Sequence, residues 1–338
     1  MRPPKPWFWA ARKGWYVKLD GKQIKLSDDK KLAELAFHRL MADRGEAKPL
    51  KNVTLADVFD AFLESVNKHH PKSLEWYRSF LQDFANGRQK MLAGEVTEMM
   101  VRDWVTGPHP RPWGQSTQRS AITVIKRALN WCIEAKLLAE NPIRHMKRPS
   151  AVARDRILTE QERVEILSWY PDGDPFRDFL VALMESGCRP GEVMKVEAKD
   201  VDLDGETWTV HGKTTDRTGK KRVIYMTPEL SALTARLCER NPTGPIFLNE
   251  DGNPWNRQAV NCRFRRKRKS KGLPKDVTAY VYRGTWATDA LVNGVSDATV
   301  AELMGHKGTA TLHKHYAKLA EKKGHLKEAA RQAVKKPT

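Results

Sequence analysis

Five short stretches in the second half of this 338-residue chain carry side chains suited to phosphate chemistry. In order they are Ser186-Gly187-Cys188-Arg189-Pro190-Gly191-Glu192, His211-Gly212-Lys213-Thr214, Tyr280-Val281-Tyr282-Arg283-Gly284-Thr285-Trp286-Ala287-Thr288, Leu303-Met304-Gly305-His306 and His315-Tyr316-Ala317. An arginine at the start of a helix can point its guanidinium fork at a phosphate, and the helix dipole adds positive potential there. A lysine can give up a proton near neutrality when burial or neighbouring cations lower its pKa. Two arginines, a histidine and a late tyrosine, on a chain of net charge +19, are the parts needed to hold a DNA phosphate and attack it with a phenol. Taken singly each part is weak. Arg189 alone reads more readily as a surface arginine after a helix end than as a site residue, and a glycine–histidine pair after a helix is common. His313 and His315 lack the carboxylate or cysteine that would make them a metal pair.

The elements that must position these groups can be read from apolar spacing and turn residues. Gly187 ends a helix over about 175–185, and Pro190 suits the first turn of the next. Strands near 207–210 and 222–226 flank the polar loop 212–221, which places Lys213 on a hairpin, with Lys220 and Lys221 on its far side as competing candidates. Helices follow over about 229–239, 256–269, 282–293 and 297–304, with a lysine-rich tail after Leu312. Upstream, Thr159 and Glu162 form a capping box, with Ile157 and Leu158 as staple residues. Residues 53–143 are helical almost throughout: Thr54 is a cap for a helix carrying Val58, Phe59 and Phe62. Leu74, Tyr77, Phe80, Leu81 and Phe84 share one face, and 117–138 forms a further helix. The aromatics here read as core in preference to base-stacking platforms. The loop 107–114 carries polar groups able to meet a DNA backbone. Residues 1–50 form a small module, with strands at 14–19 and 23–26 around Asp20-Gly21 and then a helix capped by Ser27 or Asp28. It reads equally as a DNA-touching accessory and as inert packing. Between these regions, residues 146–156 are basic and contain proline, as an inter-domain linker would.

The bulk numbers agree with a polyanionic partner. Lys and Arg total 60 against 41 Asp and Glu, and neutralising DNA phosphates releases condensed counterions. The excess is clustered: Arg263-Phe264-Arg265-Arg266-Lys267-Arg268-Lys269-Ser270-Lys271 holds seven cations in nine residues, and Lys147 and Arg148 sit in the linker. These are the expected backbone contacts. No apolar run reaches the length of a membrane span, and the N-terminus lacks the apolar core of a signal peptide. The four cysteines are far apart and form no C-x-x-C pair, as in reduced cytosolic proteins without a zinc site. The chain also has no Walker box.

Box by box, residues 186–316 resemble the tyrosine recombinase family, the phage integrases and Xer-like enzymes that cut and rejoin DNA. The resemblance implies a mainly α fold with a small β-sheet. It would comprise an N-terminal module that could bind arm-type sites (1–50), a helical core-DNA-binding domain (51–145), the linker, and a mixed α/β catalytic domain (157–338), the two larger domains clamping the duplex. Arg189 and Arg283 would bind the scissile phosphate, with Glu192 orienting the site. Lys213 would give a proton to the leaving 5′ oxygen, and His306 would bond the phosphate or orient the nucleophile. Tyr316 would form a 3′-phosphotyrosine; no other tyrosine occurs after Tyr282. The sequence departs from the family pattern at Tyr280 and Gly284, where histidines are usual. A phenol, of pKa about 10, is a poor acceptor at neutral pH, so Tyr280 reads as a hydrogen-bond donor. The implied partners are specific double-stranded DNA sites, three further copies in a tetramer, and an accessory DNA-bending protein; no metal or other cofactor is required. The implied setting is the cytoplasm, at the nucleoid, in a phage or mobile element. Two alternatives share the motif set: a catalytically impaired DNA-binding regulator of the same fold, and a type IB topoisomerase-like enzyme.

Overall fold

Helices dominate, and the strands gather in two small antiparallel sheets, ordered β1-β2-β3 and β4-β5-β6. The computed structural model describes residues 4–43, 53–151, 156–210, 221–316 and 318–333. It divides into two compact units, residues 1–152 and 153–338.

In the first unit, β2 (Gly14–Leu19) and β3 (Lys22–Ser27) meet at Asp20-Gly21, whose φ values of 49° and 78° are those a tight hairpin requires. A strand not expected from the sequence, β1 (Trp7–Trp9), pairs with β2, and the cross-strand aromatic pairs Trp7–Tyr16 and Phe8–Trp15 account for it. Helix α1 (Lys30–Asp43) is capped by Asp29, not by Ser27 or Asp28: the Leu32 N–H donates to Asp29 Oδ1 at 3.0 Å.

The helical part comprises α2 (Leu55–His69), α3 (Leu74–Ala85), α4 (Glu98–Thr106) and α5 (Gln115–Glu134). Thr54 caps α2 as expected, accepting from the Asp57 N–H at 3.3 Å. Val58, Phe59, Phe62, Leu81, Phe84, Ile125 and Leu129 form the core, so most aromatics here are indeed packing groups. Helix α5 stops four residues short of the expected end because Lys136 turns left-handed (φ 53°), which sends Leu137 and Leu138 inward. The start of the expected linker also belongs to this unit. Met146 is buried, Lys126 Nζ donates to the carbonyls of Arg144 and Met146, and Arg119 Nη1 donates to the carbonyl of Pro149.

The second unit begins with α6 (Glu160–Ser168), behind the expected capping box: the Thr159 N–H reaches Glu162 Oε2 at 2.9 Å, and the Glu162 N–H reaches Thr159 Oγ1 at 3.2 Å. Next come α7 (Pro175–Ser186), α8 (Pro190–Val193), the sheet β4 (Val201–Asp202), β5 (Thr207–Val210) and β6 (Arg222–Tyr225), and α9 (Pro228–Arg240). After these follow α10 (Arg257–Lys271), α11 (Ala279–Val292), α12 (Asp297–Leu303), α13 (Thr309–His315) and α14 (Lys323–Ala333). Phe176, Phe179, Leu183, Trp208, Phe247, Phe264 and Tyr282 fill the main core. A smaller cluster of Ala287, Leu291, Val300, Met304 and Leu312 seats the chain just before Tyr316. Helix α11 starts three residues earlier than its spacing suggested, so Tyr280 and Arg283 share one helix a turn apart. Among the described residues, no helix is long and apolar enough to cross a membrane.

Candidate active site

The site begins where α7 ends. Gly187 adopts φ +58°, and a Cβ there would lie 2.4 Å from Cδ2 of Trp286, so both the turn and the close approach of α11 require glycine. The turn delivers Arg189 to the cap position of α8. Its backbone N–H and its Nη1 both donate to Glu192, at 2.8 and 2.7 Å. Glu192 is buried, and its Oε2 also accepts from Nη1 of Arg222, the first residue of β6. The other arm of Arg222 donates to the carbonyl of Leu303 at 2.9 Å, at the end of α12.

Arg283 is the hub. Its side chain is fully buried (0% exposed); Nη1 donates to the Gly187 carbonyl and Nη2 to the Met304 carbonyl, both at 2.7 Å. Nη2 also lies 3.1 Å from His306 Nε2. A guanidinium can only donate, so this nitrogen accepts, and a neutral His306 carries its proton on Nδ1. The Tyr316 ring covers the Arg283 guanidinium at 5.0 Å and lies 5.2 Å from the His306 ring. Thr288, one turn further along α11, holds the backbone of this tyrosine. Its hydroxyl is 3.1 Å from the Tyr316 carbonyl and accepts the Lys318 N–H at 3.1 Å. Tyr280, 48% exposed, neighbours Tyr316.

Charge shapes each of these groups. Burial alone would raise the Glu192 carboxyl, but Arg222 and Arg189 outweigh it and hold the group below the usual carboxylate range. Burial would lower Arg189, and Glu192 more than offsets this, keeping its pKa above the ordinary guanidinium value. Arg283 is lowered, by burial first and then by repulsion from Arg189 and Arg222. Burial, and then the neighbouring Tyr316, raises the Tyr280 phenol, which strengthens its reading as a donor and not a base.

Thus Arg189, Glu192, Tyr280, Arg283, His306 and Tyr316 come together. Lys213 and Lys220 lie outside the described residues. Among the described residues, Val210 and Arg222 are the end pair of the sheet, and Lys213 follows Val210 by three positions in the sequence. Arg222 was missed in the sequence. The available signal was strand periodicity, since it shares the inward face with buried Ile224 and an inward cation needs a carboxylate.

The expected DNA contacts sort into two sets. On α10, Arg265, Arg266, Lys269 and Lys271 are exposed. The other three cations are engaged within the unit: Arg263 pairs with Glu250, Lys267 donates to the Trp169 carbonyl, and Arg268 donates to the Val277 carbonyl. Lys147 is exposed, while Arg148 donates to Thr123 and lines a groove with Lys126, Arg127 and Asn130. In the loop 107–114, His109 stacks on Trp113 at 3.7 Å and bonds the Trp104 carbonyl, so this ring serves the fold. His313 pairs with Asp297.

Residues 156–323 match the phage integrase family. The chain is 26% identical over 225 residues to tyrosine recombinase XerC of Chlamydia caviae, a match spanning 62% of this chain and 70% of that one. Two solved structures share the fold. A lambda integrase tetramer bound to a Holliday junction has a TM-score of 0.66 at 19% identity, covering 94% of this chain and 96% of that one. The Tn1549 transposon integrase in complex with a circular intermediate DNA has a TM-score of 0.65 at 18% identity, covering 80% and 98%. Residues 156–323 thus belong to the phage integrase family of tyrosine recombinases.

Proposed function

We propose that this protein cleaves and rejoins DNA at specific sites through a 3′-phosphotyrosine on Tyr316. One observation carries the reading: Arg283 touches the arginine-box turn, the turn before His306 and the face of Tyr316 at once. Residues far apart in sequence therefore converge on one point that two guanidiniums make strongly positive. In the reaction the Tyr316 oxygen forms a bond to phosphorus as the bond from phosphorus to the 5′ oxygen breaks. Arg189 and Arg283 offset the charge that builds on the non-bridging oxygens, and Lys213 supplies the proton for the departing 5′ hydroxyl. His306 Nε2 is occupied by Arg283, so the phenolic proton leaves by another path. Tyr280, half-exposed and kept neutral by its raised pKa, would donate to a phosphate oxygen, and the phenolic proton of Tyr316 passes to water. Attack by a different 5′ hydroxyl reverses the steps and joins new partners.

The exposed cations of α10 and Lys147 would follow the backbone. The N-terminal sheet, with exposed Lys5, Arg12, Lys13, Lys18 and Lys22, would touch accessory DNA. Assembly as a tetramer is supported by the lambda integrase tetramer, and a mobile-element setting by the transposon integrase. A bending protein and a cytoplasmic site of action complete the proposal. The test is a nicked suicide duplex carrying the repeat that flanks the encoding element. The wild type should accumulate a covalent adduct and Tyr316→Phe none. Specific binding with no wild-type adduct would point to a regulator instead, and relaxation of plasmids without site preference to a topoisomerase.

A further inference from the structure

We infer that Arg222 is a positioning residue of the phosphate clamp, one that neutralises Glu192 so that Arg189 keeps its charge for the scissile phosphate. The inference rests on the recombinase reading above. Glu192 places Oε1 on Arg189 Nη1 at 2.7 Å, and its Oε2 accepts the Arg189 backbone N–H at 2.8 Å. A carboxylate so close to one guanidinium cancels much of its field at a phosphate, and in a buried site that loss is large. Arg222 restores it. Its Nη1 binds the same Oε2, and its side chain is only 13% exposed. Three guanidiniums (Arg189, Arg222, Arg283) and one carboxylate leave this cluster at +2; without Arg222 it falls to +1.

Arg222 also fixes geometry. Its Nη2 donates to the Leu303 carbonyl, and the turn carrying His306 rests on its aliphatic stem: a Cβ on Gly305 would lie 2.7 Å from Arg222 Cδ. Gly305 has φ +65°, so the turn both needs glycine and uses the space that glycine leaves. The Arg222 backbone pairs with Val210 of the neighbouring strand β5. One side chain thus touches the anchor points of Arg189 and His306. Its Nη1 lies on Glu192 and its Nη2 on the Leu303 carbonyl, and it acts through these two partners.

The test is a charge-rescue cycle in the full chain: wild type, Arg222→Gln, Glu192→Gln and the double variant. Each is assayed for single-turnover adduct formation on the same suicide duplex, with Tm read in parallel. Arg222→Gln should slow adduct formation about 10- to 100-fold, and adding Glu192→Gln should restore about tenfold or more, because the charge needing compensation is gone. A purely structural arginine gives the opposite sign, since removing both partners of the pair loosens the turn further. A double variant as slow as Arg222→Gln, or an Arg222→Gln enzyme at the wild-type rate, overturns the inference. If Arg222→Gln melts below the assay temperature, Arg222→Lys decides: the charge account requires a rate within about tenfold of wild type, and a larger loss in the folded variant refutes it. Absence of any wild-type adduct would strike the recombinase reading, separately from these comparisons.

Discussion

Replacing Thr288 with valine removes one buried hydroxyl and almost no volume, which isolates how Tyr316 is held. The hydroxyl lies 2.8 Å from the Gly284 carbonyl and 3.1 Å from the Tyr316 carbonyl, and it accepts the Lys318 N–H. It has a single proton, so Thr288→Val costs the chain around Tyr316 one to two hydrogen bonds. The segment is half-buried, and water can replace part of this, so the local cost is about 1–2 kcal/mol. The Tyr316 ring stands on Arg283 and beside His306, and loosening its backbone by about 1 Å is enough to slow attack on the order of 100-fold. The assay is single-turnover cleavage of the suicide duplex beside equilibrium DNA binding by gel shift. Binding should be unchanged and adduct formation slower. A Thr288→Val enzyme that cleaves at the wild-type rate would refute the idea that this hydroxyl places the nucleophile.

The remaining predictions concern two glycines and one carboxylate. Gly187→Ala meets both a left-handed backbone and the Trp286 ring, and should cost about 2–4 kcal/mol in chemical denaturation. Gly284→Ala puts a methyl group into open space on α11 and should stabilise by about 0.5–1 kcal/mol by the same measurement. Glu192 is depressed in the folded state, so its stabilising contribution is fully present above the unfolded carboxylate pKa of about 4.3 and is lost as pH falls toward its lower folded value. The Tm gap between wild type and Glu192→Gln should therefore be constant from pH 7 to 5 and narrow below about pH 4.3; a gap that widens on acidification contradicts the ion-pair account.

What the sequence made legible was set by local rules. The Thr54 and Thr159 caps, the Gly187 stop and the Asp20-Gly21 hairpin each depend on a few adjacent residues, and all occur as expected. The misses arise from tertiary competition. Strand β1 exists because its aromatics pair with β2, and β4 is too short to carry a period of its own. Met146 is held down by Lys126 and Pro149 by Arg119, both from α5, which no linker-like composition discloses. The site was readable as ordered motifs, but Arg222 belonged to none of them and shows itself only through its partners Glu192 and Leu303. Likewise a seven-cation run suggests a uniform DNA face, whereas Arg263, Lys267 and Arg268 are engaged in holding α10 to its neighbours.

The central claim is that Tyr316, and not the neighbouring Tyr280, becomes joined to DNA. Trapping the adduct on the suicide duplex, digesting both DNA and protein, and sequencing the nucleotide-bearing peptide by mass spectrometry tests it directly. The account predicts a phosphonucleotide on Tyr316, linked through the 3′ end of the cleaved strand. A modification on Tyr280, or a linkage through the 5′ end, would contradict it.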